Sequence, residues 1–263
     1  MRGKAFTREV SPRLAECALT HVRRIPIDPI RARFQHGAYE GALQAAELEV
    51  LRLPPLPQHP DGVFVEDTAL LLDGHAILTR PGAASRAAEV KSTAAGLVEH
   101  FEIHHIAAGH VDGGDVLRIG RRLYVGLSTR SDRDGLAGLK CVAGKLGFDV
   151  VAAEIRNCLH LKSAATLAGH DTAGRLVLVY NRACVDPGQF PDVEPLAVDD
   201  EEPRAANVLR IGKRLIMPAG SPKTAGRLGE RGFDVTNVDV SELEKAEAGL
   251  TCMSLISEPG AQL

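Results

Sequence analysis

Three short stretches hold residues that could do covalent chemistry together. Ala248-Gly249-Leu250-Thr251-Cys252-Met253-Ser254-Leu255 places a cysteine near the end of the chain, among small and apolar neighbours. No second cysteine stands two or three positions away, so it is not half of a metal-ligand pair. A lone cysteine in such surroundings is either a small buried hydrophobe or a nucleophile whose base lies elsewhere in the chain. Asn157-Cys158-Leu159-His160-Leu161-Lys162-Ser163 supplies an imidazole, which alone reads equally well as a satisfied core histidine. Val111-Asp112-Gly113-Gly114-Asp115-Val116-Leu117 supplies two carboxylates around a Gly-Gly pair, which alone reads as a turn. Together they provide a thiol, an imidazole and a carboxylate, the nucleophile, base and orienter of covalent catalysis.

What would bring them together is a repeat. Val116-Leu117-Arg118-Ile119-Gly120-Arg121-Arg122-Leu123 recurs 92 residues later as Val208-Leu209-Arg210-Ile211-Gly212-Lys213-Arg214-Leu215, with seven of eight positions identical. Each copy is two short β-rich runs around a Gly-containing turn, the pattern of a hairpin. Related runs at 69–78, and at 164–167 with 176–179, set a period of roughly 45–48 residues, whose last member begins near Cys252. Gly147-Phe148-Asp149-Val150 is echoed by Gly232-Phe233-Asp234-Val235. Each follows a segment with helical spacing, 135–146 and 222–231. Ser221-Pro222 suits a helix N-cap and first turn, and Gly232 a C-cap. Further helices are expected over 30–49 and 85–101.

The unit is hairpin, helix, strand. Five units fit the chain, the two termini completing one of them together. Five such units closed in a ring leave a cavity on the axis. Two segments interrupt the pattern: the Pro-rich 51–62, and 184–205, rich in Pro, Asp and Glu, where a loop replaces a helix. Asp67, Asp112 with Asp115, His160 and Cys252 all fall where a hairpin strand begins. Equivalent points of a cyclic repeat face one another across the axis, so the repeat predicts that these residues converge.

Composition excludes other classes. The net charge is −3, Trp is absent and aromatics make up 4%, which leaves neither the basic stripe nor the stacking platforms of a nucleic-acid binder. Cys17, Cys141, Cys158, Cys184 and Cys252 are odd in number and scattered, which suits a reducing cytosol and not a disulfide framework. No signal-peptide pattern opens the chain, and no run approaches the ~18 apolar residues of a membrane span. A zinc reading of His100, His104, His105 and His110 finds no partner set.

With Phe64-Val65-Glu66-Asp67-Thr68, these stretches resemble the dimethylarginine dimethylaminohydrolases (dimethylargininases) of the guanidino-group-modifying superfamily. The resemblance runs nearly end to end with the motifs in the family's order. It implies an α/β fold over residues 1–263, a single five-bladed α/β propeller with the site on its pseudo-fivefold axis. It implies Cys252 as nucleophile, His160 as general acid and base, and Asp112 as its orienter. Asp67 would bind the guanidinium, supported by Asp61 and Glu66 and with Phe64 lining the substrate. Arg86 and Arg130 would hold the α-carboxylate. Leu19, in a lid over the site, and Ala246, through their carbonyls, with Glu247, would receive the α-amino group.

That chemistry is coherent. A guanidinium carbon is a poor electrophile, because attack destroys its resonance. Carboxylates fix the planar cation, a thiolate attacks it, and histidine protonates the leaving amine. No metal or cofactor is required. The related arginine deiminases carry an Asp two residues after the catalytic His, where this chain has Lys162, and they are longer. Both differences favour methylated arginines as substrate. The resulting expectations are a cytoplasmic hydrolase that yields citrulline, with a small-molecule substrate, no nucleic-acid or membrane partner, and room for a homodimer. The competing expectation is another guanidino hydrolase or amidinotransferase acting on a different guanidino compound.

Overall fold

A computed structural model describes residues 3–257. Residues 1–2 and 258–263, the two ends of the expected domain, lie outside the described residues. Five three-stranded sheets make up the ring. In chain order they begin with β1 (Lys4–Thr7) and β2 (Glu49–Arg52), which belong to the closing blade. The first complete blade is β3 (Ala69–Leu72), β4 (His75–Leu78) and β5 (Glu102–His105). The second is β6 (Val116–Ile119), β7 (Arg122–Leu127) and β8 (Asp149–Glu154). The third is β9 (Ala165–His170), β10 (Leu176–Tyr180) and β11 (Glu194–Ala197). The fourth is β12 (Leu209–Ile211), β13 (Arg214–Pro218) and β14 (Asp234–Val238). β15 (Leu255–Ser257) pairs antiparallel with β1, and β1 parallel with β2, so the two termini do complete the fifth blade.

Each blade has an antiparallel hairpin followed by a parallel third strand. A parallel neighbour needs a crossover. Helices provide it in four blades: α1 (Pro29–Ala45), α2 (Glu89–Leu97), α3 (Arg133–Lys145) and, after the short α4 (Leu161–Ala164), α5 (Pro222–Glu230). The remaining helix is α6 (Ser241–Glu244). The third blade crosses over by the 184–205 segment, which carries only short 3-10 turns, as its composition suggests. That segment also contributes β11, a strand the sequence reading missed. Likewise the segment expected as one helix over 30–49 ends at Ala45, and its last residue, Glu49, opens β2. The repeated hairpins use one turn: Gly120 (φ 58°) and Gly212 (φ 56°) both sit in the left-handed region.

One expected cap is replaced. The Ser221 side chain makes no cap hydrogen bond to α5. Instead the Glu202 carboxylate accepts from the Lys223 and Thr224 N–H groups, each at 2.8 Å. A carboxylate at a helix N-terminus also meets the favourable end of the dipole.

The core is five wedges, one between each pair of neighbouring blades. Alternation along β7 shows how they form. Leu123 and Val125 pack with Leu70, Leu72 and Ile77 of the first blade, whereas Tyr124 packs with Leu161, Leu167 and Leu178 of the third. Strands buried on both faces read as continuous apolar runs. The inner strands β3, β6, β9, β12 and β15 surround a cavity of about 910 Å³ on the axis.

Candidate active site

Every inner strand is preceded by one helical turn, and each turn ends in polar side chains at the axis. Asp67 lies in the 3-10 turn Val65–Thr68 before β3, and Asp115 in Gly113–Asp115 before β6. His160 is the N-cap of α4 before β9, and Cys252 lies in Thr251–Met253 before β15. The fourth blade contributes Asn207, just after Pro203–Ala206.

These turns hold one another. Asp67 Oδ1 accepts the Gly114 N–H of the next blade at 3.0 Å. Asp115 Oδ1 accepts the Leu161 N–H at 3.0 Å, and Asn207 Oδ1 the Thr251 N–H at 3.0 Å. Thr251 Oγ1 closes the ring by donating to Glu66 at 2.7 Å. Asn207 was not singled out from sequence. The signal for it was present, since it follows Asp115 by the same 92 residues that separate the two hairpin copies.

His160 and Asp112 meet as expected, with Nε2 3.0 Å from Asp112 Oδ2. The other oxygen of Asp112 accepts the Gly82 N–H at 2.8 Å, which fixes the carboxylate. On the opposite edge of the ring, Nδ1 faces Asp67 Oδ1 at 3.9 Å. Burial opposes charging this ring, but Asp67, Asp115 and Asp112 outweigh it and raise its pKa to about 10. His160 is therefore an imidazolium at neutral pH. Burial pushes the Asp115 carboxyl up to about 6, against His160 and the hydroxyls of Ser128 and Ser131. The Gly-Gly pair is needed for this closeness: a Cβ on Gly114 would stand 2.7 Å from His160 Nδ1 and 2.8 Å from Asp67 Oδ1.

Cys252 is buried beside Phe64, Leu250, Met253 and Ala246 in one apolar wedge. Its sulfur accepts the Gly249 N–H at 3.3 Å. Burial, then the charges of Glu66 and Asp67, push the thiol far above its usual range. At rest it is a neutral thiol. Glu66 is held by Lys162 Nζ at 2.7 Å as well as by Thr251. Burial raises its carboxyl and Lys162 counters the rise. Glu66, Lys162 and Thr251 line the axial cavity while Cys252, His160 and Asp112 do not, so the bonded trio forms its wall towards the thiol.

The remaining expected residues divide. Arg86 is buried and gives its donors to protein acceptors: Asp67, Glu89, and the carbonyls of Asp61 and Phe64. Asp61, Arg130 and Glu247 all meet the segment around Leu19. Asp61 accepts the Ala18 N–H at 3.2 Å, and Arg130 donates to Thr20 Oγ1 at 3.2 Å. Glu247, at a positive φ of 63°, accepts the N–H groups of Thr20 and His21 at 2.7 and 2.9 Å. Leu19 packs against the wedge that contains Cys252 and Ala246.

Asp67, Asp112 and His160 also lie close enough to share a metal ion. Their charges are already matched by Arg86, the imidazolium and backbone N–H groups, so the cluster is complete as a hydrogen-bonded network.

No family model matches the chain. A dimethylarginine dimethylaminohydrolase of Streptomyces coelicolor is 39% identical over 254 residues, 96% of each chain. Another, of Pseudomonas aeruginosa, is 35% identical over 87% of this chain and 89% of its own. A solved structure of dimethylarginine dimethylaminohydrolase from Pseudomonas aeruginosa, a Cys-to-Ser mutant complexed with citrulline, matches with a TM-score of 0.90 at 32% identity, over 97% of this chain and 99% of that one. Likeness of that extent, on a ring that brings its acid, imidazole and thiol-bearing turns to one axis, makes the chain a member of the dimethylarginine dimethylaminohydrolase family.

Proposed function

We propose that the protein hydrolyses Nω,Nω-dimethyl-L-arginine and Nω-methyl-L-arginine to L-citrulline, releasing dimethylamine or methylamine through a thiouronium on Cys252. The observation that carries the reading is the charged His160, held between Asp112 and Asp67 at the ring axis. Asp67 is kept ionised against its burial by His160 and Arg86, which suits it to accept guanidinium N–H groups. A bound cation beside Cys252 offsets the two carboxylates that, with burial, hold the thiol neutral, so the thiol releases its proton to solvent and becomes the thiolate.

The thiolate then attacks the guanidinium carbon. His160 gives its proton to the departing amine, and the neutral ring that remains takes one from the water that hydrolyses the thiouronium. That second transfer restores the imidazolium. Leu19, Ala246 and Glu247 would take the α-amino group, and Arg130 the α-carboxylate. Arg130 is half-buried, with one donor on Thr20. Lys162, by occupying Glu66, leaves fewer free acceptors around the guanidinium, which suits an N-methylated nitrogen with fewer protons to donate.

The same proposal takes residues 1–263 as one domain, because both termini build the fifth blade. It places the enzyme in the cytoplasm, where its five free cysteines stay reduced. It also takes a homodimer as the assembly, on the exposed Ile30 and Phe34 one turn apart on α1. No helix is long and apolar enough to cross a membrane among the described residues.

The test is citrulline release from dimethylarginine and from arginine, by the protein and by Cys252→Ser. Release from the methylated substrate alone, lost in the variant, is the expected result. Release from arginine instead would move the function to the competing deiminase-like reading.

A further inference from the structure

A second constellation lies away from the catalytic turns, at the far end of the first blade's hairpin. His75 opens β4, directly opposite Glu102 across the parallel ladder, and His104 follows Glu102 by two residues on the same face. Sequence alone found no partners for His104, because His75 precedes it by 29 residues and is brought to it only by strand pairing. His75 Nδ1 and His104 Nε2 are 3.1 Å apart. The Glu102 carboxylate straddles them, with one oxygen 3.5 Å from His75 Nδ1 and the other 3.6 Å from His104 Nε2.

Those three separations have a chemical meaning. Nitrogen and oxygen ligands at ~2.0–2.1 Å from a tetrahedral zinc stand about 3.3 Å from one another. The two nitrogens, 3.1 Å apart, fit one edge of such a tetrahedron, and the Glu102 carboxylate stands over that edge, one oxygen 3.5 Å from His75 and the other 3.6 Å from His104, placed to supply a third ligand atom. The frame is firm. Both histidines sit on paired strands, and the Glu102 N–H donates to the Gly74 carbonyl in the hairpin turn at 3.1 Å. The two rings are three-quarters buried, while the Glu102 side chain is 68% exposed, which leaves a fourth position open to water.

We propose that His75, Glu102 and His104 form a surface site for a divalent transition ion of the zinc class, which staples β4 to β5. Two imidazoles and one carboxylate are the donors that class prefers. Binding displaces the ring-to-ring hydrogen bond. Its proton moves to the outer nitrogen of whichever ring carried it, so both facing lone pairs point at the ion. The site lies outside the catalytic cluster and revises the sequence reading, which assigned no metal to this chain.

The test is zinc titration by calorimetry, of the protein and of His75→Ala/His104→Ala. The catalytic cluster and Cys252 are present in both, so the difference reports this site alone. The protein is expected to bind one more zinc ion per chain than the variant, at micromolar concentration, and affinity at this site should fall by at least about a hundredfold in the variant. Zinc should raise the melting temperature of the protein by more than that of the variant. Glu102→Gln, which retains both rings, should weaken binding by an intermediate factor and guards against misfolding of the double variant. Equal stoichiometry and affinity in the protein and both variants, or no binding to the protein, overturns the proposal.

Discussion

Arg86 is bonded to Asp67, the carboxylate that the family pattern assigns to the substrate's guanidinium. The pair is buried, and Glu89 grips the same guanidinium from the other side at 2.9 Å. Arg86 therefore acts first on the protein, by keeping Asp67 ionised and in place. Removing one member of a buried ion pair typically costs about 3–5 kcal/mol. Arg86→Met should lose stability on that order in a denaturant titration, with Glu89 deprived of its hydrogen-bonded guanidinium and Asp67 left to His160 and the Gly114 N–H. A variant of unchanged stability but raised KM would instead return Arg86 to the substrate's carboxylate.

The blade-to-blade bonds make Asn207 a positioning residue for the turn that carries Cys252. It accepts from the Thr251 N–H and donates to the Lys162 carbonyl and Thr251 Oγ1, at 3.0, 2.9 and 3.0 Å. Asn207→Ala strands a buried N–H, at about 1–3 kcal/mol. Citrulline formation should fall by about tenfold or more at saturating substrate. Asn207→Asp keeps the acceptor for Thr251 and should recover part of kcat. An alanine variant with normal kcat would show that the Cys252 turn holds itself.

The ring of turns also explains what the sequence could and could not tell. A hairpin repeated with seven identities in eight residues exposed the fivefold plan, and strand starts located Asp67, Asp112, His160 and Cys252. Asn207 escaped because amides carry no obvious chemistry, although the repeat aligns it with Asp115. The placement of Arg86 escaped for another reason. Its partners Asp61, Phe64, Asp67 and Glu89 are spread along the chain, and only the packed turn shows that their carbonyls and carboxylates surround it. β11 was hidden because Glu194-Pro195-Leu196-Ala197 is four residues long and contains a proline, too short a run to show a period and one that a proline argues against.

The raised pKa of His160 fixes the sign of a pH effect. Its folded value of about 10 lies above the ~6.5 of an unfolded histidine, so its contribution to stability is complete below ~6.5 and vanishes as pH rises through about 10. Between those limits stability should decline by at most about 1.4 kcal/mol per pH unit from this group. Thermal unfolding from pH 6 to 10.5 should show that slope in the protein and a shallower one in His160→Gln. Equal slopes would mean that the ring is neutral in the folded state.

The central claim is that Cys252 attacks the guanidinium carbon, and acid-quenched turnover followed by intact-mass and peptide analysis addresses it most directly. With dimethylarginine, a transient adduct of thiouronium mass should map to the peptide containing Cys252 and be absent from Cys252→Ser. Citrulline formed with no adduct, or an adduct on any other residue, would contradict the account.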